Sequence, residues 1–373
     1  MAVLELKGIE KRFGSVFVLR GIDLSLDSNQ TVAIVGPNGC GKSTLLRIVS
    51  GLEKPNAGEL LLDGKSLLGL VPHQRPISFI PQLGGYYEHL NVHQNLKASL
   101  TVYRLSGAEA EYRIDWISEL LGLKPLYHAK ISELSGGQIQ KVALGRGLIR
   151  KPQILLMDEP LNHLDRASQQ NLHSQVQSIQ QEMGLSILYV THRSEELLSI
   201  ADRIALLLEG RIQQVDSPIE IFDRPNSLQI AKMFGEPPII LARAMLATDL
   251  SSRCVELWNR RIALTESQVS YLDTLTSLSV TSERSSREVK LGIRPHAFTI
   301  RMLGEEASLQ DEVYWKAQIV DRRFLGEGWL VEIAIGTEPV ISLALNRQLG
   351  DASKAGDIVL LTLEPKSICF FAD

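Results

Sequence analysis

A nine-residue loop between an apolar run and a helical run constrains the fold of this chain more than any other feature. The loop fits G-x-x-x-x-G-K-[ST] and consists of Gly36, Pro37, Asn38, Gly39, Cys40, Gly41, Lys42, Ser43 and Thr44. Residues 31–35 before it are apolar and residues 45–50 after it have a helical pattern, which predicts a strand, a tight loop and a helix. Backbone N–H groups and the positive helix end then face phosphate oxygens. The sequence therefore predicts an α/β domain whose loop binds nucleotide phosphates, with Lys42 at the β and γ phosphates and Ser43 on Mg²⁺.

A second apolar run ends in two carboxylates. Residues 154–158 have the composition of a buried parallel strand that ends at Asp158, and Glu159 follows directly. Taken alone, these acids could simply end a strand. Beside the phosphate loop, they predict that Asp158 holds Mg²⁺ and that Glu159 polarises the attacking water.

Residues 134–138 read Leu-Ser-Gly-Gly-Gln and begin another helical run. Ser135 is expected to cap a helix that starts at Gly136, so that a hydroxyl and a positive helix end are presented to an anion. Together with the phosphate loop, residues 154–159 and Thr191-His192, this motif resembles the nucleotide-binding subunits of ATP-binding cassette (ABC) transporters in order and spacing.

The resemblance covers almost the whole chain and is strongest to one importer subgroup. That subgroup energises the uptake of maltose, glycerol-phosphate, polyamines, sulfate or ferric iron. Residues 201–214 and the later Pro218, Ile221 and Arg224-Pro225 are similar to it, as are residues 291–296, Leu-Gly-Ile-Arg-Pro-His.

The resemblance implies further roles at the ATP site. Phe13 would stack on adenine, although an aromatic in a terminal strand could also belong to the core. Gln82 would contact Mg²⁺ or the attacking water, and His192 would contact the γ-phosphate. Asp165 would cross to a partner subunit, with Asn162-His163 replacing the small residues that often precede it.

The resemblance also implies a head-to-tail homodimer. The ATP site of one subunit would be completed by four residues of the other, Ser135, Gly136, Gly137 and Gln138. The reason is that one chain is not expected to bring this motif to its own phosphate loop. Closure and opening would drive two membrane permease subunits, which a solute-binding protein would serve. The surface near residues 82–96 would receive a permease helix, and residues 83–90 depart there from the aromatic-Pro-His run of the subgroup.

Length and composition predict two domains. The 373 residues exceed what one core usually serves. Residues 1–235 are expected to form the ABC ATPase domain, with an α-helical subdomain at about 83–150. The Gly-Pro-rich segment 235–238 marks a boundary. Short strand-like runs beyond it predict a β-barrel or sandwich, and the resemblance implies an oligonucleotide-binding-like TOBE domain at 236–373.

Charge and cysteine content exclude several classes of partner and site. The formal net charge of −4 indicates neither a nucleic-acid footprint nor a polybasic anchor. The start of the chain has no signal-peptide pattern, and no apolar run is long enough to span a bilayer, so we expect a cytosolic protein. The resemblance implies that it is peripheral to the cytoplasmic face of the inner membrane. Three widely spaced cysteines predict reduced thiols. Cys40 is either a reactive thiol protected by ATP or a small residue that fills space.

Three interpretations of function remain at this point. The first is the ATPase subunit of an importer, for sugar or glycerol-phosphate ahead of polyamine, sulfate or ferric iron. The alternative is an ABC ATPase that acts on nucleic acid or ribosomes, whose usual tandem cassettes or long coiled coil are not seen here. The third makes the C-terminal domain a regulatory module, which is compatible with the first.

Overall fold

The computed structural model describes residues 2–82, 84–102, 105–161, 164–193, 197, 199–248, 253–276, 287–303, 313–338 and 340–371. It divides into two compact units, Met1–Pro218 and Ile219–Asp373. None of the helices in the described part of the chain combines the length and apolar character that a membrane span requires.

The first unit is built on ten strands and five helices in its described ranges. The strands are β1 (Ala2–Phe13), β2 (Val16–Asp27), β3 (Thr31–Val35), β4 (Ala57–Leu62), β5 (Lys65–Ser66), β6 (Ile77–Ile80), β7 (Ile154–Asp158), β8 (Ser186–Thr191), β9 (Arg203–Leu208) and β10 (Arg211–Asp216). The helices are α1 (Lys42–Ser50), α2 (Val92–Thr101), α3 (Ala108–Leu120), α4 (Gly136–Leu148) and α5 (Arg166–Met183).

A six-stranded sheet in the order β10-β9-β3-β8-β7-β6 forms the centre of this unit. Strands β3, β9, β8, β7 and β6 are parallel to their neighbours, and β10 pairs antiparallel with β9. Every residue of β3, β7 and β8 is buried, as continuous apolar runs in a parallel sheet require. Since parallel strands end at one sheet edge, this order brings the ends of β3, β7, β8 and β6 together. The predicted α/β class is confirmed.

A second sheet of the first unit is antiparallel, in the order β2-β1-β4-β5. Its apolar side chains join those of β3, α1 and the central sheet in one core. The helices α2, α3 and α4 lie between β6 and β7 in the chain, where the sequence predicts a helical insertion. The sequence pattern also predicts a helix at 194–200, but residues 194–196 and 198 lie outside the described part of the chain.

The second unit contains strands and short helices. They are α6 (Pro218–Asp223, whose first residue closes the first unit), α7 (Leu228–Met233), β11 (Ile240–Thr248), β12 (Arg253–Leu257), β13 (Arg260–Ala263), α8 (Glu266–Thr276), β14 (Arg287–Ile293), β15 (Phe298–Met302), β16 (Tyr314–Phe324), β17 (Gly328–Ala334), β18 (Ile341–Asn346), α9 (Arg347–Ala352), β19 (Ile358–Leu363) and β20 (Ile368–Phe371).

Two five-stranded antiparallel sheets share one core in this unit. Their orders are β13-β12-β11-β14-β20 and β15-β19-β16-β17-β18. Leu291 and Val255 of the first sheet and Ile319 and Leu361 of the second are fully buried in the same cluster. The C-terminal β domain is therefore confirmed, and helix α8, which the sequence pattern did not indicate, is added to it.

The two units meet at residue 218, earlier than the boundary predicted from composition at 235. The reason is Arg294, which is only 2% exposed. Its guanidinium donates to the carbonyl oxygens of Ala231 and Phe234, and through Nε and Nη2 to that of Phe222 at 3.2 and 2.9 Å. It also lies 4.2 Å from the centroid of the Phe222 ring. These bonds hold α6 and α7 to the β domain.

Candidate functional site

The phosphate loop joins the end of β3 to the start of α1, as predicted. Gly41 is the N-cap of α1 with φ 111°, a left-handed conformation that favours glycine. A side chain at Gly36 would overlap the Leu207 carbonyl oxygen of β9 and the Cys40 sulfur. These two glycines let the backbone turn sharply against the sheet, which leaves the first N–H groups of α1 available to an anion.

Lys42 extends along the inside of this loop. Its side chain is 6% exposed, and Nζ donates to the carbonyl oxygens of Gly36 at 2.9 Å and Pro37 at 3.0 Å. A buried ammonium requires such partners, because desolvation of an unpaired charge is expensive. The loop thus fixes a positive charge at the helix start.

Asp158 at the end of β7 meets the next residue of α1. The Ser43 hydroxyl donates to Asp158 Oδ1 at 3.1 Å. Burial raises the pKa of Asp158, and the Ser43 hydrogen bond and the Lys42 charge act in the opposite direction. The described residues contain no cluster of three His, Cys, Asp or Glu side chains that could hold a metal. A hydroxyl beside a carboxylate nevertheless suits Mg²⁺, which takes oxygen ligands and fills its other positions with water and phosphate.

Glu159 lies between two polar side chains from neighbouring strand ends. Its Oε2 accepts from Gln82 Nε2 at 2.9 Å, and its Oε1 is 3.2 Å from Nδ1 of His192. Gln82 follows β6 and His192 follows β8, so the sheet order explains the contacts. Glu159 has φ 47°, and its N–H donates to the Val190 carbonyl at 2.8 Å, which fixes the direction of its side chain. A non-glycine residue in this conformation is often found at functional sites.

These side chains surround one pocket of about 670 Å³. It is lined by Phe13, Val18, Asn38, Gly39, Gly41, Lys42, Ser43, Thr44, Gln82, Glu159 and His192. Phe13 is 48% exposed, which favours a ligand-facing ring over a core aromatic. The pocket thus combines an aromatic, an anion-binding loop and a carboxylate.

Cys40 is a buried member of the loop. Burial raises the pKa of its thiol, and the nearby Lys42 charge offsets this only in part. The neutral thiol is therefore favoured, and the structure supports the space-filling interpretation over the reactive one.

The motif at residues 134–138 forms a helix start elsewhere on the first unit. Ser135 caps α4 as predicted: its Oγ accepts from Gln138 N at 3.4 Å, and Gln138 Oε1 accepts from Ser135 N at 2.9 Å. Ser135 and Gly136 are exposed, and Gly137 and Gln138 are partly so. None of these four described residues lines the pocket.

Asp165 is likewise outside that lining. It caps α5, with Oδ1 accepting from Ser168 N at 3.0 Å and Oδ2 from Ser168 Oγ at 2.6 Å. Its predecessors Asn162 and His163 lie outside the described residues.

Two functional candidates in the helical insertion were not predicted. Asn95 is fully buried in α2 and bonds to the backbone of Tyr87, Leu90 and Asn91, which shapes the loop after Gln82. Arg146 of α4 donates to Asn95 Oδ1 at 3.2 Å and lies 4.3 Å from the Tyr87 ring centroid. An arginine on the apolar side of the α4 pattern is the signal that could have identified this pair.

Two glycines of α4, Gly145 and Gly147, allow close packing. A methyl at Gly145 would lie 3.0 Å from Leu96 Cδ2 and 3.1 Å from Leu121 Cδ1. At Gly147 it would lie 3.3 Å from Ile80 Cγ1. Helix α4 is therefore packed tightly against α2 and β6.

A family profile matches part of the first unit, and two relatives match the chain across both units. The profile of the ABC transporter family matches residues 19–162. The chain is 34% identical over 343 residues to the sulfoquinovosyl glycerol transport ATP-binding protein SmoE of Agrobacterium fabrum, covering 90% of this chain and 88% of that protein. It is 31% identical over 366 residues to the spermidine/putrescine import ATP-binding protein PotA of Nitrosomonas europaea, covering 97% of each.

One solved structure is similar to more than half of this chain. It is cbiO1 from Clostridium perfringens, part of the ABC transporter complex cbiONQ, with a TM-score of 0.55 and 26% identity. The match covers 59% of this chain and 90% of that one.

Proposed function

Since this chain belongs to the family of ATP-binding subunits of ABC transporters, we propose that it hydrolyses ATP in an importer and that two copies share two ATP sites. The pocket that combines Phe13, Lys42 and Glu159 carries the ATPase part of this proposal. The separate position of residues 135–138 carries the shared-site part.

The whole ATP molecule, from the adenine base to the γ-phosphate, would lie along this pocket. Phe13 would stack on adenine, and the loop N–H groups with Lys42 would bind the phosphates. Ser43 and Asp158, with Gln82 at the edge, would hold Mg²⁺, which neutralises phosphate charge when bound. Their oxygen chemistry supports this assignment.

Hydrolysis needs a water aligned with the γ-phosphorus. Glu159 would take a proton from that water while the water oxygen bonds to the γ-phosphorus. The bond from the γ-phosphorus to the β-phosphate oxygen breaks, which gives ADP and phosphate. Gln82 and His192 would orient the carboxylate and the γ-phosphate. The distances of 2.9 and 3.2 Å from their nitrogens to Glu159 support these roles.

The exposed start of α4 supports the proposal of a shared site. Ser135, Gly136 and Gly137 present a capped helix terminus, which attracts anions, yet they are not part of the pocket on the same chain. In a head-to-tail dimer this terminus would contact the γ-phosphate bound by the other subunit, and Asp165 would approach the same interface. ATP would then hold the dimer closed.

Mixing two inactive variants tests this arrangement. Ser135→Arg and Lys42→Ala each disable both sites of a homodimer, whereas a mixed dimer keeps one site with an intact Lys42 and an intact Ser135. We expect each variant alone to be inactive and their mixture to recover ATPase activity. Ser132→Arg, at an exposed serine nearby, is the control and should remain active. Failure of the mixture to recover, or full activity of either homodimer, contradicts the shared site.

Membrane partners are expected for an import subunit. We propose that two permease subunits dock beside residues 84–96, whose loop is organised by Asn95 and Arg146. The protein would then act as a peripheral subunit at the inner face of the membrane, with a solute-binding protein on the other side. Co-purification of the permeases after gentle solubilisation would identify them.

The transported solute is proposed to be a sugar or glycerol-phosphate. The relative named for sulfoquinovosyl glycerol shares 34% identity and the one named for spermidine and putrescine shares 31%, so polyamines are the next candidates, followed by sulfate and ferric iron. Both relatives are named for transport or import, which supports the importer over an ATPase acting on nucleic acid or ribosomes. Uptake by the co-purified complex in vesicles would distinguish the solutes.

A further inference from the structure

Lys11 occupies an unusual place beside the ATP pocket. It is 8% exposed, although it lies near the end of β1 and two residues before the exposed Phe13. Lys11 does not line the pocket, whereas Phe13 does. A buried lysine outside the binding surface needs partners of its own.

Those partners lie in the loop that follows α1. Lys11 Nζ donates to Glu53 Oε1 at 2.7 Å and to the Lys54 carbonyl oxygen at 2.7 Å. The hydrogen bond from Lys11 lowers the pKa of Glu53, which favours its carboxylate form. The same ammonium lies 4.8 Å from the centroid of the Phe13 ring, within the range of a cation–π contact.

Further hydrogen bonds connect β1 to the loop that follows α1. Asn56 N donates to the Glu10 carbonyl at 2.8 Å, and Arg12 N donates to Asn56 Oδ1 at 2.7 Å. Glu53 N donates to the Arg47 carbonyl in the last turn of α1 at 3.0 Å. Helix α1 therefore begins at the phosphate loop and, beyond its other end, supports the strand that carries Phe13.

We propose that Lys11, held by Glu53, is a positioning residue that fixes the Phe13 ring for the adenine of ATP. This rests on the proposed ATP site. An exposed ring that is already held in place loses less rotational freedom when a base stacks on it, so binding is stronger. Through α1, the two ends of the nucleotide would be positioned by one element.

The test compares the steady-state kinetics of full-length variants. Lys11→Met should raise the KM for ATP about three- to tenfold and leave kcat within about twofold, because only base binding is weakened. Glu53→Gln, which keeps a weaker hydrogen bond, should give a smaller rise, and Lys11→Arg should restore part of the effect. Lys65→Met, at an exposed lysine of β5, is the matched control and should change neither constant.

Inorganic tripolyphosphate, which has phosphates but no base, separates positioning from damage to the pocket. Its inhibition constant should be unchanged in Lys11→Met. An equal rise for ATP and tripolyphosphate would overturn the proposal, as would an unchanged KM for ATP.

A double-mutant comparison separates this inference from the site on which it rests. If Lys11 acts through the ring, Lys11→Met should add almost nothing in a Phe13→Leu background. Additive effects would overturn the positioning role while leaving Phe13 at the ATP site. If Phe13→Leu itself leaves the KM for ATP unchanged, the base-stacking role in the proposed function fails, and the inference fails with it.

Discussion

Replacement of Glu159 by Gln changes the proposed proton acceptor with little change of shape. The Glu159 side chain is only 10% exposed, and its oxygens contact Gln82 at 2.9 Å and His192 at 3.2 Å. Glutamine has the same length and can still accept from Gln82, but its amide does not take a proton from water. ATP binding should therefore persist while hydrolysis fails.

The size of the loss follows from the role. A general base contributes about 10² to 10⁴ in rate, so kcat should fall about 100- to 10,000-fold, which corresponds to about 3 to 5 kcal/mol in activation free energy. Gln82→Ala removes one hydrogen bond to the same carboxylate, and water can replace it because Gln82 is exposed. Its kcat should fall by about tenfold or less.

Phosphate release at saturating ATP measures kcat, and equilibrium dialysis measures ATP binding. Size-exclusion chromatography with ATP should show an accumulated Glu159→Gln dimer. Glu119→Gln is the control, since that carboxylate is on the surface beside Lys124. Turnover of Glu159→Gln above about a tenth of the parent rate would refute the assignment of the base.

Two further predictions concern stability, and urea unfolding tests both. Burial lowers the pKa of His173 in α5 from its ordinary 6.5 to about 4. Below pH 6.5 the unfolded chain therefore binds a proton that the folded chain does not. The free energy of unfolding falls as the pH falls toward 4. Since the ring keeps some exposure, we expect the free energy of unfolding to fall by about 1 to 2 kcal/mol over this range. His173→Leu should abolish this fall. An unchanged pH slope in the variant would contradict the prediction. Gly145→Ala should lower the free energy of unfolding by about 1 kcal/mol or more relative to Gly147→Ala. The methyl at position 145 would lie 3.0 and 3.1 Å from two fully buried leucines. The gain in helix propensity is the same at both positions, so it does not contribute to the difference. Equal effects would show that the leucines move aside.

The strand-end half of the candidate site was predictable because its side chains lie at the ends of buried strands. Asp158, Glu159 and His192 follow apolar runs, and parallel strands end at one edge, so their proximity follows from sheet order. The support around them was not predictable. Asn95 and Arg146 act between helices that are distant in sequence, and Lys11 meets Glu53 only because β1 pairs with β4.

The β domain shows where local pattern fails. Strand β11 has the sequence ILARAMLAT, whose alanine, leucine and arginine content favours a helix, yet it pairs with β12 and β14. Pairing and burial outweigh intrinsic preference in such a strand. Helix α8 was missed because its apolar positions are sparse, and Gln268 anchors it by donating to the carbonyl oxygens of Pro365 and Ile368.

The Arg294 contacts decide where this chain can be cut into working fragments. A cut after Gly235, where the composition changes, would separate Arg294 from the three carbonyl groups that accept its hydrogen bonds, those of Phe222, Ala231 and Phe234. The other fragment would end in α6 and α7 without the hydrogen bonds from Arg294. A cut before Ile219 keeps the cation and its acceptors in one piece. The transferable β module is therefore the segment that starts at residue 219, which includes α7 and all but the first residue of α6.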